Sequence, residues 1–304
     1  MNSLRQNTAN RVRSPIENQL NFYQSIDPFV EHILTYFEAM GYTVLLESDI
    51  ISGRDQEILR SYCNGIIGNR FRQAMARINP TVSPQQIELI FHLLTQIYTM
   101  PMMQQNRRWH LQLLASNQVD ASVVKPNSLA TLKLIDFSNV LNNDWLAIYS
   151  FPAIEGDYQH CLDLVIFING LPLVVFHGIH GGDKSWSLRS AYFQLQEYKE
   201  HLPKFFSFNE LLVLSNRVQS RIGTLTSQWK QFIPISSANG EDTLFSEKTE
   251  IETLIKSVFH KQRFLEIIQH FIVFQQSRTK LNKRLISEPF WTVNNPNYWR
   301  YIHS

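Results

Sequence analysis

Two apolar runs separated by one dipeptide constrain this chain more than any other feature. Leu164 to Ile168 and Leu171 to Phe176 are β-branched or aliphatic at nearly every position, and they flank Asn169–Gly170, the strongest short-range signal for a tight β-hairpin. Half-exposed strands alternate apolar and polar residues. These do not, so both faces of the hairpin need cover and the pair is expected at the centre of its sheet.

The flanking segments supply the rest of an α/β plan. Asp27 and Pro28 make an N-cap and N1 pair, Phe29, Val30, Ile33, Leu34 and Phe37 share a helical face, and Gly41 stands where a left-handed C′ residue belongs. Val44 to Leu46 then suits a short strand, Asp55 to Ile78 a helix broken by Gly65 and Gly68, and Ser83–Pro84 the start of another with Ile87, Ile90, Phe91, Leu94 and Tyr98 inward. From Ser122 the pattern turns to short β-like runs, Thr131–Phe137 and Trp145–Phe151. After the hairpin, Trp186 to His201 reads as a helix stopped by Pro203, Leu211–Leu214 as a buried strand, and Glu247 to Phe274 as one long amphipathic helix. The expected organisation is a polar arm (1–25), a mainly helical lobe (26–120), an α/β core (121–240), and a C-terminal helix with a basic tail (241–304).

Composition narrows the class. With 44% hydrophobic and 18% charged residues the chain can bury an ordinary core. A formal charge of +2 gives a weak overall field, so nucleic-acid contact requires a local basic surface. Cys63 and Cys161 belong to no CxxC pattern, which disfavours a disulfide framework or thiolate zinc site. The apolar runs are far shorter than the ~20 residues of a membrane span. Arg5, Arg11 and Arg13 precede no apolar signal segment. A cytoplasmic protein with no membrane partner is expected.

The residue identities in the hairpin and in several other segments are more specific than the pattern. Val165 to Val175, Ala191 with Gln194–Leu195–Gln196–Glu197–Tyr198–Lys199, Asn106–Arg107 with His110, Ile135–Asp136–Phe137 with Asn142–Asn143–Asp144, Leu212 to Ser215 with Arg221–Ile222–Gly223, and Arg263–Phe264–Leu265 with His270 to Phe274 resemble the N-terminal nuclease domain of the type I restriction enzyme R subunit. The resemblance covers roughly residues 27–293. It implies a PD-(D/E)xK core, a mixed central sheet flanked by helices, with the activity of a type I site-specific deoxyribonuclease, Mg²⁺ as cofactor, and DNA and the methyltransferase and specificity subunits as partners. The family's ATP-driven motor has no counterpart in these residues: there is no GxxxxGK[ST], and Glu288–Pro289–Phe290 lacks the adenine-reading glutamine. No ATP use is expected of them.

Cleavage in such a core needs an acid at the end of one strand and Glu-x-Lys on the next. The two carboxylates hold the hard Mg²⁺ ion, and the lysine orients water or offsets phosphorane charge. Asp163 fills the first position, but the Glu position falls on His177 and the Lys position on Ile179. Imidazole suits Zn²⁺, Fe²⁺ or Cu²⁺ better than Mg²⁺, and isoleucine donates nothing. Loss of one transition-state donor costs about 10²–10³ in rate, so two losses predict a pseudo-enzyme. The basic lead-in expected before the aspartate is replaced by His160–Cys161–Leu162. A three-residue loop through Gly170, pairing Ile168 with Pro172, is expected to bring Asp163 opposite His177. A strict two-residue turn would oppose Asp163 to Phe176 and separate the pair.

Gln194 and Tyr198 share a helix face, and the resemblance places this QxxxY element beside the active site, in contact with DNA. His160, Asp163, His177 and His180 could also be read as a metal site, although three of ten histidines near one hairpin need no such explanation. Glu31 matches an additional first-helix acid of related nucleases, or is simply an acid favoured by the helix dipole. Residues 256–284 hold seven cations, among them Lys256, Lys261 and Arg263, against Glu266 alone. With Lys199 they are the candidate DNA contacts, the plain alternative being a solvated face. Arg107 and Arg108 flank Trp109, itself expected in the core.

The leading expectation is a DNA- or partner-binding pseudo-nuclease of a restriction-modification or phage-defence system. The alternatives are an active metal-dependent endonuclease using Asp163 and His177, and a degenerate remnant without a role.

Overall fold

The computed structural model describes residues 26–49, 65–95, 100–114, 132–179, 187–235, 249–278 and 280–286. The expectations for the arm 1–25, for Asp55 to Asn64, for Tyr98, His180 and Trp186, and for the tail past Ile286 lie outside these residues.

Seven strands form one sheet in sequence order: β1 (Thr43–Leu46), β2 (Trp145–Glu155), β3 (Tyr158–Ile168), β4 (Leu171–His177), β5 (Leu211–Ser215), β6 (Ser220–Gly223) and β7 (Ile233–Pro234). The β1/β2 and β4/β5 pairs are parallel and the others antiparallel. The helices are α1 (Pro28–Ala39), α2 (Gly68–Ile78), α3 (Pro84–Thr95), α4 (Met102–Leu114), α5 (Leu188–His201), α6 (Pro203–Phe206), α7 (Glu250–Val258) and α8 (Lys261–Glu266). The parallel step from β4 to β5 crosses over through α5 and α6, as a parallel pair requires.

The doubly apolar β3–β4 pair lies at the centre of the sheet. On one face Leu164, Ile166, Val174 and Phe176 pack with Val30 and Phe37 of α1, Phe71 of α2 and Ile255 of α7. On the other, Val165, Phe167 and Val175 pack with Leu195 and Tyr198 of α5 and Phe206 of α6. α1 forms as its punctuation demands: the Asp27 side chain accepts from Phe29 N, Pro28 is at N1, and Gly41 takes φ +79°.

The hairpin corrects one expectation and keeps its consequence. Asn169 (φ 53°) and Gly170 (φ 78°) form a two-residue turn of type I′ that pairs Ile168 with Leu171 and Phe167 with Pro172. The predicted three-residue loop does not form. The next pair is Ile166 with Val174, so Leu173 is an extra residue, a β-bulge beside Pro172. Its carbonyl turns to accept from Glu210 N at 2.7 Å. That single bulge moves the register from Phe167↔Pro172 to Leu164↔Phe176, and one step further Asp163 faces His177. Gly170 is required here for a second reason: a Cβ would lie 2.6 Å from the Ile67 carbonyl and 2.8 Å from Phe71 N.

The run 132–137 is not a strand. Its polar groups are spent on the turn: buried Asn169 donates to the Leu134 carbonyl and to Asn143 Oδ1, while Asn143 exchanges two hydrogen bonds with the Asp136 backbone. Nor is there one long C-terminal helix. α7 ends at Val258, α8 begins at Lys261, a π-helical turn runs from Ile267 to Phe271, and β8 (Ile272–Gln276) pairs with β9 (Leu281–Leu285). The apolar spacing persists through the break because both helices and β8 line the same core face.

The β8–β9 hairpin is fastened through Lys283. Its backbone N donates to Thr226 Oγ1 at 2.8 Å, and its carbonyl accepts from Thr224 and Thr226, each at 2.7 Å. Its Nζ reaches the Asn209 carbonyl at 2.8 Å and Glu210 Oε2 at 2.7 Å. His110 Nδ1 meets the same carboxylate oxygen at 2.9 Å, and all three side chains are buried. Burial pushes the Glu210 carboxyl up, but Lys283 and His110 outweigh it and hold it below the usual range.

Candidate functional site

Asp163 sits at a kink shared by two strands. The β2–β3 ladder runs through Tyr149↔Leu164 and Phe151↔Leu162 but omits the step between them, where Ser150 lies across from Asp163. Ser150 takes φ 60°, uncommon for a residue with a side chain. Leu164 belongs to one face's core and Leu162 to the other's, so the chain changes face here. Ser150 Oγ donates to Glu47 Oε2 at 3.1 Å and lies 3.0 Å from Cys161 Sγ.

The Asp163 carboxylate is already engaged. Oδ2 accepts from the backbone N–H groups of Gly178 (2.7 Å) and Ile179 (2.9 Å), and Oδ1 lies 3.4 Å from His177 Nδ1. Gln194 Oε1 is 2.9 Å from His177 Nε2, and Gln194 also hydrogen-bonds Tyr198 in the sense that favours the phenolate. The amide N–H therefore faces Tyr198 and the amide oxygen faces the imidazole, which puts the imidazole proton on Nε2. Nδ1 faces the carboxylate; at 3.4 Å the contact is no hydrogen bond.

Ile179, where the lysine of a Glu-x-Lys was expected from sequence, is used in packing. The Ile179 side chain is buried in the core on the α1 side of the sheet, and only its backbone N–H serves Asp163. Gly178 makes this approach feasible at φ 93°: a Cβ there would lie 2.6 Å from the Ser215 carbonyl.

A row of rings leads from His177 to the surface. His177 and Tyr198 centroids are 5.2 Å apart, Tyr198 and His160 4.2 Å, His160 and His201 5.0 Å, and His201 stacks on Tyr158 at 3.9 Å. Burial, then the Asp163 charge, pushes the Tyr149 phenol up to about 12 and raises Tyr198. Burial also raises the Cys161 thiol, with Glu47 and Asp163 adding to it, and lowers His160 beside His201. The neutral forms are thus favoured around Asp163, protonated for Tyr149, Tyr198 and Cys161 and unprotonated for His160.

The structure gathers Asp163, His177, Gln194 and Tyr198 with the Ile179 backbone, and leaves the basic candidates elsewhere. Lys199 bonds Gln196 and the Leu225 carbonyl on the opposite flank of α5. Lys256 pairs with Glu252 at 2.6 Å, Lys261 donates to the Gly41 carbonyl, and half-buried Arg263 lies on α8, all on the other side of the sheet from α5. Glu31 is exposed on α1, and Trp109 is buried against Phe208. Ser150, Glu47, Tyr149 and His201 were not singled out from sequence. Nothing in the sequence marks the left-handed Ser150; His201 had a signal, at i+3 from Tyr198.

The donor set does not fit Mg²⁺. That ion takes oxygen ligands, whereas here one carboxylate oxygen is capped by two N–H groups and its neighbour is an imidazole. Among the described residues no group of three or more His, Cys, Asp and Glu side chains is arranged to hold a metal ion. No helix among them is long and apolar enough to cross a membrane.

Comparison with known proteins places the chain. A family model described as type I restriction enzyme R protein N terminus matches residues 30–231. The type I restriction enzyme HindI endonuclease subunit of Haemophilus influenzae is 23% identical over 212 residues, which cover 68% of this chain and 20% of that subunit. The Methanocaldococcus jannaschii protein named as the MjaIXP endonuclease subunit is 22% identical over 238 residues, 72% of this chain and 23% of its own length. The chain therefore spans about a fifth to a quarter of these relatives.

Proposed function

The chain belongs to the family of type I restriction enzyme R protein N termini, and from that membership we propose that it is a PD-(D/E)xK-type pseudo-nuclease that binds DNA without cutting it. Its role is that of an interaction module in a restriction-modification or phage-defence system, docking where an R subunit meets the methyltransferase and specificity subunits. One observation carries the reading: Asp163, the acid that would anchor the metal, spends Oδ2 on the N–H groups of Gly178 and Ile179, while the Ile179 side chain packs into the core.

The contrary reading, an endonuclease using Asp163 and His177, has one observation in its favour. His177 Nδ1 and Asp163 Oδ1 converge to 3.4 Å with no hydrogen bond between them.

A plasmid-nicking assay with Mg²⁺, Mn²⁺ or Zn²⁺ separates the two. The proposal expects no nicking above background from wild type or Asp163→Ala, with DNA retention that weakens as salt rises. Nicking by wild type that Asp163→Ala abolishes overturns it.

A further inference from the structure

The outward face of α5 carries a second feature, turned away from the Asp163 site. Phe193 is 58% exposed. Its ring meets Tyr192 at 5.5 Å, and Tyr192 meets Trp229, on the turn before β7, at 5.9 Å. Two guanidinium groups border the row: Arg189 lies 5.9 Å from the Phe193 centroid and Arg221 4.6 Å from that of Trp229. Lys230 is exposed beside it.

These cations differ from three arginines elsewhere in the molecule. Arg70 pairs with Asp144, Arg72 with Glu88, and Arg217 with Asp27. Among the described residues neither Arg189 nor Arg221 forms an ion pair; Glu250, within electrostatic reach of Arg221, accepts from Ser220 N. The surface ends one helical turn past Phe193, at Glu197, whose charge acts on His160.

An exposed ring in a row of aromatics, bordered by unneutralised guanidinium groups, matches unpaired bases on a phosphodiester backbone, since bases stack on rings and phosphates meet cations. A duplex offers no free base faces to such a row. We infer that this surface binds single-stranded nucleic acid. The inference rests on the nucleic-acid reading above but uses a different face of α5, so each can fail alone.

The test is fluorescence anisotropy of the full chain with a labelled oligo-dT strand and with a duplex of equal length, at low and raised salt. Wild type should bind the strand more tightly than the duplex and show quenching of tryptophan emission. Phe193→Ala and Phe193→Leu should each weaken strand binding about tenfold, with unchanged thermal unfolding since the ring is exposed. Arg189→Ala with Arg221→Ala should flatten the salt dependence, by about 0.7 in log–log slope for each phosphate that is no longer neutralised. Strand binding that both Phe193 variants leave intact, or a wild type that retains only duplex, overturns this inference and leaves the pseudo-nuclease reading standing. Asp163-dependent nicking together with Phe193-dependent strand binding does the reverse.

Discussion

Two polar clusters sit at opposite ends of the β4–β5 pair, and they are built on opposite logic. At the C-terminal end, Asp163, His177 and Gln194 form a chain in which the carboxylate is met by backbone N–H groups and the imidazole nitrogen beside it is not hydrogen-bonded. At the N-terminal end, Glu210 is met by a full ammonium and an imidazole, and Lys283 in turn ties β9 to two threonines. The first cluster meets its carboxylate with main-chain N–H groups and a nearby imidazole. The second sets its carboxylate against the Lys283 Nζ within the fold, through Oε2, while Glu210 Oε1 accepts no hydrogen bond. Buried polarity alone therefore does not mark function; what distinguishes the two is whether the charge is balanced within the fold.

Removing the balancing charge of the second cluster should have the largest effect. Lys283→Met leaves the buried carboxylate with His110 as its remaining partner and should cost about 3–5 kcal/mol of unfolding free energy by urea titration. Adding Glu210→Gln to it should recover part of the loss. If Lys283→Met is neutral, Glu210 is not charged and the contrast collapses. Gly178→Ala strikes the first cluster alone: a left-handed backbone and a close approach to the Ser215 carbonyl predict a loss of about 2–3 kcal/mol, with β9 protection in hydrogen exchange unchanged. Asp163→Ala should cost about 1–3 kcal/mol by orphaning two N–H groups. Asp163→Asn should stay within about 1 kcal/mol, because the amide oxygen still accepts and its N–H can donate to His177 Nδ1. Equal losses for the two substitutions would mean that the charge itself holds the loop.

A further expected effect is a pH slope. Burial pulls the Lys199 ammonium from 10.5 down to about 8. Between those values the unfolded chain holds more protons than the folded one, so stability should rise with pH through this window and the rise should vanish in Lys199→Met. A wild-type curve that falls from pH 8 to 10 contradicts the assignment.

Legibility followed locality. The α1 boundaries were readable because Asp27, Pro28 and Gly41 are each chosen for a backbone state, and the central hairpin because Asn169–Gly170 forces its turn. The bulge at Leu173 was invisible, since a strand buried on both faces gives no alternation from which an extra residue could be counted. The break of the long helix was equally silent, because Ile272 continues the apolar spacing of the helices before it. At the site, the proximity of Asp163, His177, Gln194 and Tyr198 could be read by position. That Ser150 would adopt a left-handed conformation opposite Asp163, and that the Ile179 backbone would substitute for a side chain, depended on contacts among β2, β3 and the segment after β4.

Leu173 also sets a phase. Were that one amino acid paired in the ladder instead of bulged out of it, the length of strand leading to Gly178 would turn over: Val174 and Phe176 would point at α5, and Val175 and His177 at α1. Phenylalanine would then stand opposite Asp163, and the imidazole would be driven among the aromatic rings of Phe37 and Phe259. Every atom of the polar centre would still be encoded, yet the centre would cease to exist, so its survival is a matter of counting as much as of chemistry.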